Sequence, residues 1–161
     1  MLVYSLRTAQ ENRNVDVICG CAPAKYHEKI KEWAFKYGIT KMLILAESGK
    51  ERYESVYNGI MALPAKARDT VIIMTAVCPF VSQKTMDKLY EQISLYDASI
   101  TVIKATDAIT FSNNGKMVNR TLQKKKLFVQ QGPQIYRYSV LKQAHQSYLQ
   151  DEQRVEVNED S

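Results

Sequence analysis

The sequence is poor in cysteine, histidine, proline and glycine, and it has no long hydrophobic run. Its 161 residues include three cysteines, two histidines, four prolines and six glycines. Cys19, Cys21 and Cys78 are too few and too unevenly spaced for a disulfide framework or a zinc site, as expected in a reducing cytoplasm. No apolar run approaches the roughly 18 residues of a membrane-spanning helix, and the N-terminus lacks a signal-peptide pattern. We therefore expect a cytoplasmic protein with no membrane association and no protein-held metal.

Basic residues are in excess of acidic ones. Lysine and arginine number 22 against 17 aspartates and glutamates, for a net charge of +5. This excess favours an anionic partner without naming it. The longest basic cluster, residues 124–126, is typical of a solvated loop, and no basic stripe alternates with aromatic residues as in nucleic-acid-binding surfaces. Nucleic acid is therefore not expected as a partner.

Strand-like apolar runs alternate with segments of helical periodicity through the first hundred residues. The predicted strands are 15–20, 41–47, 69–77 and 98–105, and the predicted helices are 2–11, 23–37, 48–63 and 82–96. This alternation predicts βαβ units in one α/β domain, with a Rossmann-like, doubly wound and mostly parallel sheet. We place the domain at residues 1–150, with a last helix over 138–150 and a polar tail over 151–161.

The stretch from Leu43 to Ile60 is the centre of this pattern. A buried strand breaks at a Ser-Gly turn and restarts as a helix, and Ser48 with Glu51 predicts a capping box at the helix start. The unpaired N–H groups and the helix dipole there favour an anionic or polar ligand. A strand–helix turn that binds nothing is the alternative.

Residues 107–123 break the alternation. Asn113-Asn114-Gly115 is a tight-turn signal between two short strand-like runs and predicts a β-hairpin. After the hairpin, residues 126–131 are expected to return to the sheet.

Three motifs, in this order and spacing, resemble the cytidylyltransferases that join CTP to a sugar-alcohol phosphate. The family pattern GG-x-x-R-x-[DE]-S-V-x-x-G-[LI] is present as SGKERYESVYNGI at 48–60, H-D-A-[AV]-R-P-F as MTAVCPF at 74–80, and Q-T-P-Q-x-F as QGPQIY at 131–136. Two branches of the family are close, acting on ribitol 5-phosphate or on methylerythritol 4-phosphate. The Ala-Val of the second motif and the run ATDAI at 105–109 slightly favour the ribitol branch.

The resemblance implies a reaction and its partners. A phosphate oxygen of the acceptor attacks the α-phosphorus of CTP, pyrophosphate leaves, and a CDP-alditol is formed for isoprenoid or teichoic acid precursors. The family fold is the nucleotide-diphospho-sugar transferase type, and its hairpin arm reaches into the partner subunit of a homodimer. Mg²⁺ bridging the phosphates is the implied cofactor, with no protein ligand assigned.

Four residues of the first motif are implied in nucleotide binding. Gly49, Arg52 and Ser55 match the positions that hold the cytidine part of CTP, and Lys50 belongs to the same turn. Glycine lets the backbone approach the base closely because no Cβ intervenes. For Arg52 the alternative is an exposed helix charge paired with a neighbouring glutamate.

Four further positions are implied on the acceptor and catalytic side. Lys124 stands where the family has an arginine that positions the acceptor phosphate, and Asp107 matches an acidic residue for the acceptor hydroxyls. Thr75 replaces an aspartate and Cys78 replaces an arginine. A hydroxyl is a weak substitute for a carboxylate toward Mg²⁺, and lysine lacks the planar fork of arginine. Lys124 is alternatively one of three solvated lysines.

The given sequence begins where the second element of the family stands. It has no counterpart of the family's first strand with its G-x-G-x-R loop, nor of its last strand and helix, so we expect a chain truncated at both ends. Without the loop that neutralises the triphosphate, two hypotheses stay open: a cytidylyltransferase, or an inactive nucleotide-binding or partner-binding homologue or fragment.

Overall fold

The computed structural model describes residues 1–150 and leaves the predicted tail, 151–161, outside the described residues. The helices are α1 (Leu2–Glu11), α2 (His27–Lys36), α3 (Arg52–Ala62), α4 (Gln83–Gln92) and α5 (Tyr138–Gln150). The strands are β1 (Val17–Ala22), β2 (Met42–Glu47), β3 (Thr70–Ile73), β4 (Ala98–Lys104), β5 (Thr110–Phe111), β6 (Arg120–Thr121) and β7 (Phe128–Arg137). The predicted α/β class and the order of elements are confirmed. No helix among the described residues is long and apolar enough to cross a membrane.

The strands form two sheets and a separate hairpin. Strands β1 and β2 pair in parallel, as a βαβ unit requires. Strand β7 lies between β3 and β4 and is antiparallel to both. The parallel part of the predicted sheet is therefore supplemented by an antiparallel strand that local periodicity did not reveal.

Helix α3 connects the two sheets through its buried face. Ile60 is 2% exposed and belongs to a core cluster with Tyr138 and Leu141 of α5. Val71 and Ile73 of β3 pack against the same cluster. Burying side chains of this size contributes about 1.5–3 kcal/mol each. Helix α3, at the functional motif, is thus fixed to both sheets.

Strand β3 is shorter than predicted. It ends at Ile73, whereas the apolar run predicted a strand to residue 77. A turn follows, closed by the Cys78 N–H donating to the Thr75 carbonyl oxygen at 3.0 Å. Apolar residues beyond the strand end therefore lie in a loop: Val77 is 61% exposed.

Pro133 lies in a strand that pairs on both sides, where its missing N–H would normally interrupt a ladder. Gln134 pairs with Ile100 and Gln130 with Val102, so β7 has extra residues between these two pairs. The bulge accommodates Pro133, whose carbonyl oxygen accepts a hydrogen bond from Thr101 Oγ1 at 3.0 Å.

The predicted hairpin is present but its strands are very short. Thr110 pairs with Thr121 and Phe111 with Arg120, and Gly115 in the turn has φ +68°. Glycine adopts this left-handed conformation without the steric cost that a Cβ would add.

Candidate functional site

The helix start at the first motif differs from the prediction. The N-cap is Glu51 rather than Ser48, and its side chain accepts from the backbone of Glu54 while the Glu54 carboxylate accepts from the backbone of Glu51. The Lys50 N–H also donates to Glu54 Oε2, at 2.7 Å. A capping box can use a glutamate at both positions because it needs only two acceptors of suitable reach. Backbone donors of Glu51 and Lys50 hold the pKa of Glu54 below its usual range.

Gly49 is needed here because the turn folds back against the first turn of α3. An added Cβ would meet Glu54 Cβ and would lie 2.8 Å from Glu54 Oε2. The Gly49 N–H donates to Ser55 Oγ at 3.0 Å, and Ser55 Oγ donates to the Glu51 carbonyl oxygen at 3.2 Å. The predicted nucleotide-binding residues Gly49 and Ser55 are therefore in direct contact.

Arg52 connects the first motif to the second. Its Nη2 donates to Thr75 Oγ1 at 3.4 Å, from the start of α3 to the loop after β3. No ion pair is found for Arg52 with Glu51 or Glu54 in the described part of the chain. In the third motif, burial raises the pKa of Tyr136, and the positive charge of Arg52 opposes that rise. Arg52 thus joins the first motif to the second by a direct contact.

A cavity of about 1360 Å³ opens beside this cluster. Its lining includes four of the predicted residues: Lys50, Arg52, Ser55 and Thr75. The backbone of Gly49 adjoins the lining through Ser55. In open α/β sheets, ligands bind beyond the carboxyl ends of the strands, and these residues follow the carboxyl ends of β2 and β3. The arrangement offers two cations and two hydroxyls to an anionic ligand.

The other three predicted residues do not line this cavity. Cys78 is exposed in the loop after β3. Asp107 is three residues before β5 and Lys124 three residues after β6, so both stand exposed at the base of the hairpin. Sequence resemblance implied roles for these residues toward the acceptor, and those roles stay predictions.

A pair of thiols next to the cavity was not predicted as functional. Cys19 and Cys21 project from the same face of β1 toward Gly59 of α3, where an added Cβ would lie 2.7 Å from Cys21 Sγ. The Cys19 thiol lowers the pKa of Cys21 to about 7, and burial acts in the opposite direction. Their i, i+2 spacing is the sequence signal that shows the shared face.

The donor set does not fit a metal held by protein ligands alone. No group of three or more His, Cys, Asp or Glu side chains that could bind an ion occurs within residues 1–150. Glu54, the neighbour of Ser55 in the sequence, accepts backbone N–H groups at the helix cap.

A strand–turn–helix site with basic and hydroxyl groups at the carboxyl ends of strands is typical of nucleotide-binding α/β proteins. The chain belongs to the 2-C-methyl-D-erythritol 4-phosphate cytidylyltransferase family, whose model matches residues 1–161. The family resemblance inferred from the three motifs is therefore confirmed.

Individual relatives give the same family. The chain is 27% identical over 162 residues to a 2-C-methyl-D-erythritol 4-phosphate cytidylyltransferase of Clostridium novyi, covering 100% of this chain and 68% of the relative. It is 32% identical over 111 residues to that of Geobacillus thermodenitrificans, covering 69% of this chain and 47% of the relative. The chain thus matches at most about two thirds of the length of these two relatives.

Solved structures agree on the fold. The 4-diphosphocytidyl-2C-methyl-D-erythritol synthase of Anaerococcus prevotii superposes with a TM-score of 0.86 at 22% identity, over 96% of this chain and 67% of that one. The cytidylyltransferase of Francisella tularensis superposes with a TM-score of 0.81 at 22% identity, over 99% and 70%. The family model and these relatives carry the methylerythritol name, so they do not support the slight preference for the ribitol branch.

Proposed function

We propose that this chain carries the nucleotide site of a cytidylyltransferase that transfers the cytidylyl group of CTP to 2-C-methyl-D-erythritol 4-phosphate. The observation that carries the proposal is the 3.4 Å contact between Arg52 and Thr75, which joins two motifs separated by 23 positions at one cavity. Family membership supports both the nucleotide and the acceptor. The inactive nucleotide-binding homologue is the competing function.

Each residue of the cluster has a proposed task. Backbone and hydroxyl groups at Gly49 and Ser55 bind the cytosine and ribose. The hydrogen bond between the two residues holds these groups in position. Arg52 is proposed to hold the cytidine part together with them, and Lys50 places positive charge toward the triphosphate. Phosphoryl transfer needs mainly positioning and neutralisation of developing charge, so these groups contribute without covalent chemistry.

The acceptor side is proposed on family resemblance and position. Lys124 would hold the acceptor phosphate and Asp107 its hydroxyls, with Thr75 and Cys78 at the edge of the second motif. Mg²⁺ is proposed to enter with the triphosphate, where it would neutralise charge on the leaving pyrophosphate.

A homodimer completes the proposal. Large apolar side chains are exposed on the hairpin and at the adjacent ends of β4 and β7: Ile103 53%, Met117 70%, Val118 64% and Phe128 54%. Exposed apolar surface of this kind marks interaction sites, and two lone strands are marginal in water. The partner proposed for this surface is a second copy of the chain. The free thiols of Cys19, Cys21 and Cys78 support the cytoplasmic location expected from the sequence.

Two measurements test the proposal. With Mg²⁺ present, CTP is expected to raise the melting temperature, and Arg52→Ala to remove the rise, whereas Arg7→Ala retains it. Arg7 is a suitable control because it is an exposed helix arginine that pairs with Glu11 at 3.2 Å, away from the Arg52 cluster. No shift at millimolar CTP would refute the nucleotide site.

Turnover is measured separately, as pyrophosphate release with methylerythritol 4-phosphate and with ribitol 5-phosphate. Release with the first acceptor alone supports the proposed transferase. A CTP-induced shift without release from either acceptor would select the inactive binding homologue.

A further inference from the structure

Strand β1 places two thiols side by side on the face that packs against α3. Cys19 and Cys21 are two positions apart, so their side chains project from the same face of the strand. Pairing with β2 fixes the register of this strand, with Cys19 opposite Ile44 and Cys21 opposite Ala46. The spacing of the two thiols is therefore set by the sheet and not by a loop.

Both sulfur atoms lie against one residue of α3, Gly59. A Cβ added at Gly59 would lie 2.7 Å from Cys21 Sγ and 3.7 Å from Cys19 Sγ. The Cys19 thiol donates to the Gly59 carbonyl oxygen, with the sulfur 3.7 Å from the oxygen. The two sulfurs thus share one small space over the backbone of the helix.

The two thiols differ in exposure and in acidity. Both are free, but Cys21 is exposed and Cys19 is partly buried. The hydrogen bond between them lowers the pKa of Cys21 to about 7 and raises the pKa of Cys19, which burial raises further. At neutral pH an exposed thiolate therefore stands next to a thiol that keeps its proton. Redox-sensitive cysteines have this combination of an accessible, acidic thiol and a neighbouring thiol.

We propose that Cys21 is a site of oxidation by hydroperoxides and that Cys19 converts the oxidised Cys21 into a Cys19–Cys21 disulfide. In the first step the Cys21 thiolate attacks one oxygen of hydrogen peroxide, the O–O bond breaks, and Cys21 becomes a sulfenic acid. The hydroxide that leaves takes up the proton that Cys21 released on ionisation, which gives the first water.

The second step forms the bond between the two sulfurs. The Cys19 sulfur attacks the Cys21 sulfur, the S–O bond breaks, and the hydroxyl leaves with the Cys19 proton as the second water. The two thiols together lose two electrons, and the peroxide gains them. No reactant other than the hydroperoxide is needed.

The geometry of the strand permits this disulfide but strains it. At a rise of about 3.3 Å per residue, Cα atoms two positions apart in a strand are separated by roughly 6.6 Å. Disulfides span Cα separations of about 4.4–6.8 Å, so this bond would lie near the upper limit. Strained disulfides are reduced readily, and we therefore expect a reversible modification.

A purely structural role for the two thiols is the alternative. Free cysteines often serve as small apolar side chains, and Gly59 would then allow only a close approach of α3 to β1. This alternative predicts no division of labour between the two cysteines when they meet an oxidant.

The test identifies the products formed with hydrogen peroxide at pH 7 in a Cys78→Ser chain, in which only the pair can react. We read products and not rates, because a less basic thiolate is also a weaker nucleophile and gains little in rate. The chain is expected to lose the mass of two hydrogen atoms, to lose both alkylatable thiols together, and to recover them with dithiothreitol.

Two further substitutions in this chain separate the roles of the two cysteines. Cys19→Ser keeps a hydrogen-bond donor beside Cys21 but removes the second sulfur, so the sulfenic acid should persist and be trapped by dimedone. Cys21→Ser removes the acidic thiol, and we expect at least about tenfold less dimedone adduct on Cys19.

The products of the Cys78→Ser chain remain decisive if either further variant does not fold. The proposal is overturned if this chain forms no disulfide between Cys19 and Cys21, or if its disulfide joins two copies of the chain. Equal dimedone adducts in folded Cys19→Ser and Cys21→Ser variants would also overturn it. No nucleotide is present in these experiments, so their outcome does not depend on the proposed cytidylyltransferase function.

Discussion

Two regions of the described chain, the cluster around Arg52 and the base of the hairpin, differ in how firmly their side chains are held. Around Arg52 the side chains are half-buried and tied by hydrogen bonds to Thr75, Glu51 and the Gly49 turn. At the hairpin base, Asp107 and Lys124 are exposed, and no side-chain hydrogen bond or ion pair is found for either within residues 1–150. The first region is therefore preorganised, whereas the second is open to a partner.

This difference shows how the two kinds of site acquire their geometry. A strand–turn–helix unit orders its own ligand-binding groups because the helix start supplies the hydrogen bonds. A two-stranded arm gains order only when its apolar face is covered. The predictions below test this contrast, from the largest expected effect to the smallest.

Gly49→Ala should damage the preorganised region most. The new Cβ would collide with Glu54, so we expect about 2 kcal/mol loss in the free energy of unfolding, as in other overpacked sites, and loss of the CTP-induced shift. Gly132→Ala is the control, since its Cβ would lie 3.7 Å from Val81 Cγ2, an ordinary contact. Urea unfolding measures both variants, and equal losses would contradict the special role of Gly49.

The open region should respond through assembly. Met117→Asp places a charge on a side chain that is 70% exposed on the hairpin, and we expect at least about tenfold weaker dimerisation, or about 1.4 kcal/mol. Lys116→Ala, at the neighbouring position, is the control. Sedimentation velocity measures the change, and a wild-type chain that stays monomeric at its highest soluble concentration would show that this face is no dimer interface.

The corrected helix cap gives a smaller effect. Glu51→Ala removes the N-cap acceptor and should cost about 1 kcal/mol, whereas Ser48→Ala should change stability by less than about 0.5 kcal/mol. Thermal or urea unfolding of both variants decides between the two capping residues. A larger loss for Ser48→Ala would restore the cap expected from the sequence.

The smallest effect concerns the thiol pair and is seen only as a change in pH dependence. Because the pKa of Cys21 is lowered to about 7, its thiolate fraction and its alkylation rate should rise as pH increases through 7. In a Cys78→Ser background, Cys19→Ala removes the hydrogen bond that lowers the pKa, so the midpoint should move to higher pH. Iodoacetamide rates against pH measure this shift, and an unchanged midpoint would exclude the thiol–thiol contact.

Local patterns predicted most of the secondary structure. The helix 2–11 agrees with α1, and the hairpin between 107 and 123 agrees with β5 and β6. The helix predicted to begin at residue 82 is capped by Ser82, whose Oγ accepts from the Thr85 N–H at 3.1 Å. These features depend on periodicity, capping and turn residues, which act within a few positions of the chain.

The sequence predicted which residues belong to the candidate site, but it did not predict which of them lie in contact. The motifs named Arg52 and Thr75, yet no local rule indicates that their side chains touch across 23 positions. The same resemblance gave Asp107 and Lys124, which the structure leaves at the hairpin base. Whether distant motifs meet depends on how strands pair and how helices pack over them.

The sequence by itself determined the alternation of strands and helices, the turn at Gly49 and the family, because each depends on neighbouring residues or on a fixed motif. Only the tertiary structure decided that β7 separates β3 from β4, that Glu51 caps α3 and that Arg52 meets Thr75 beside a cavity. Strand order and edge exposure depend on hydrogen bonds between segments far apart in the chain, and such bonds leave little trace in local periodicity.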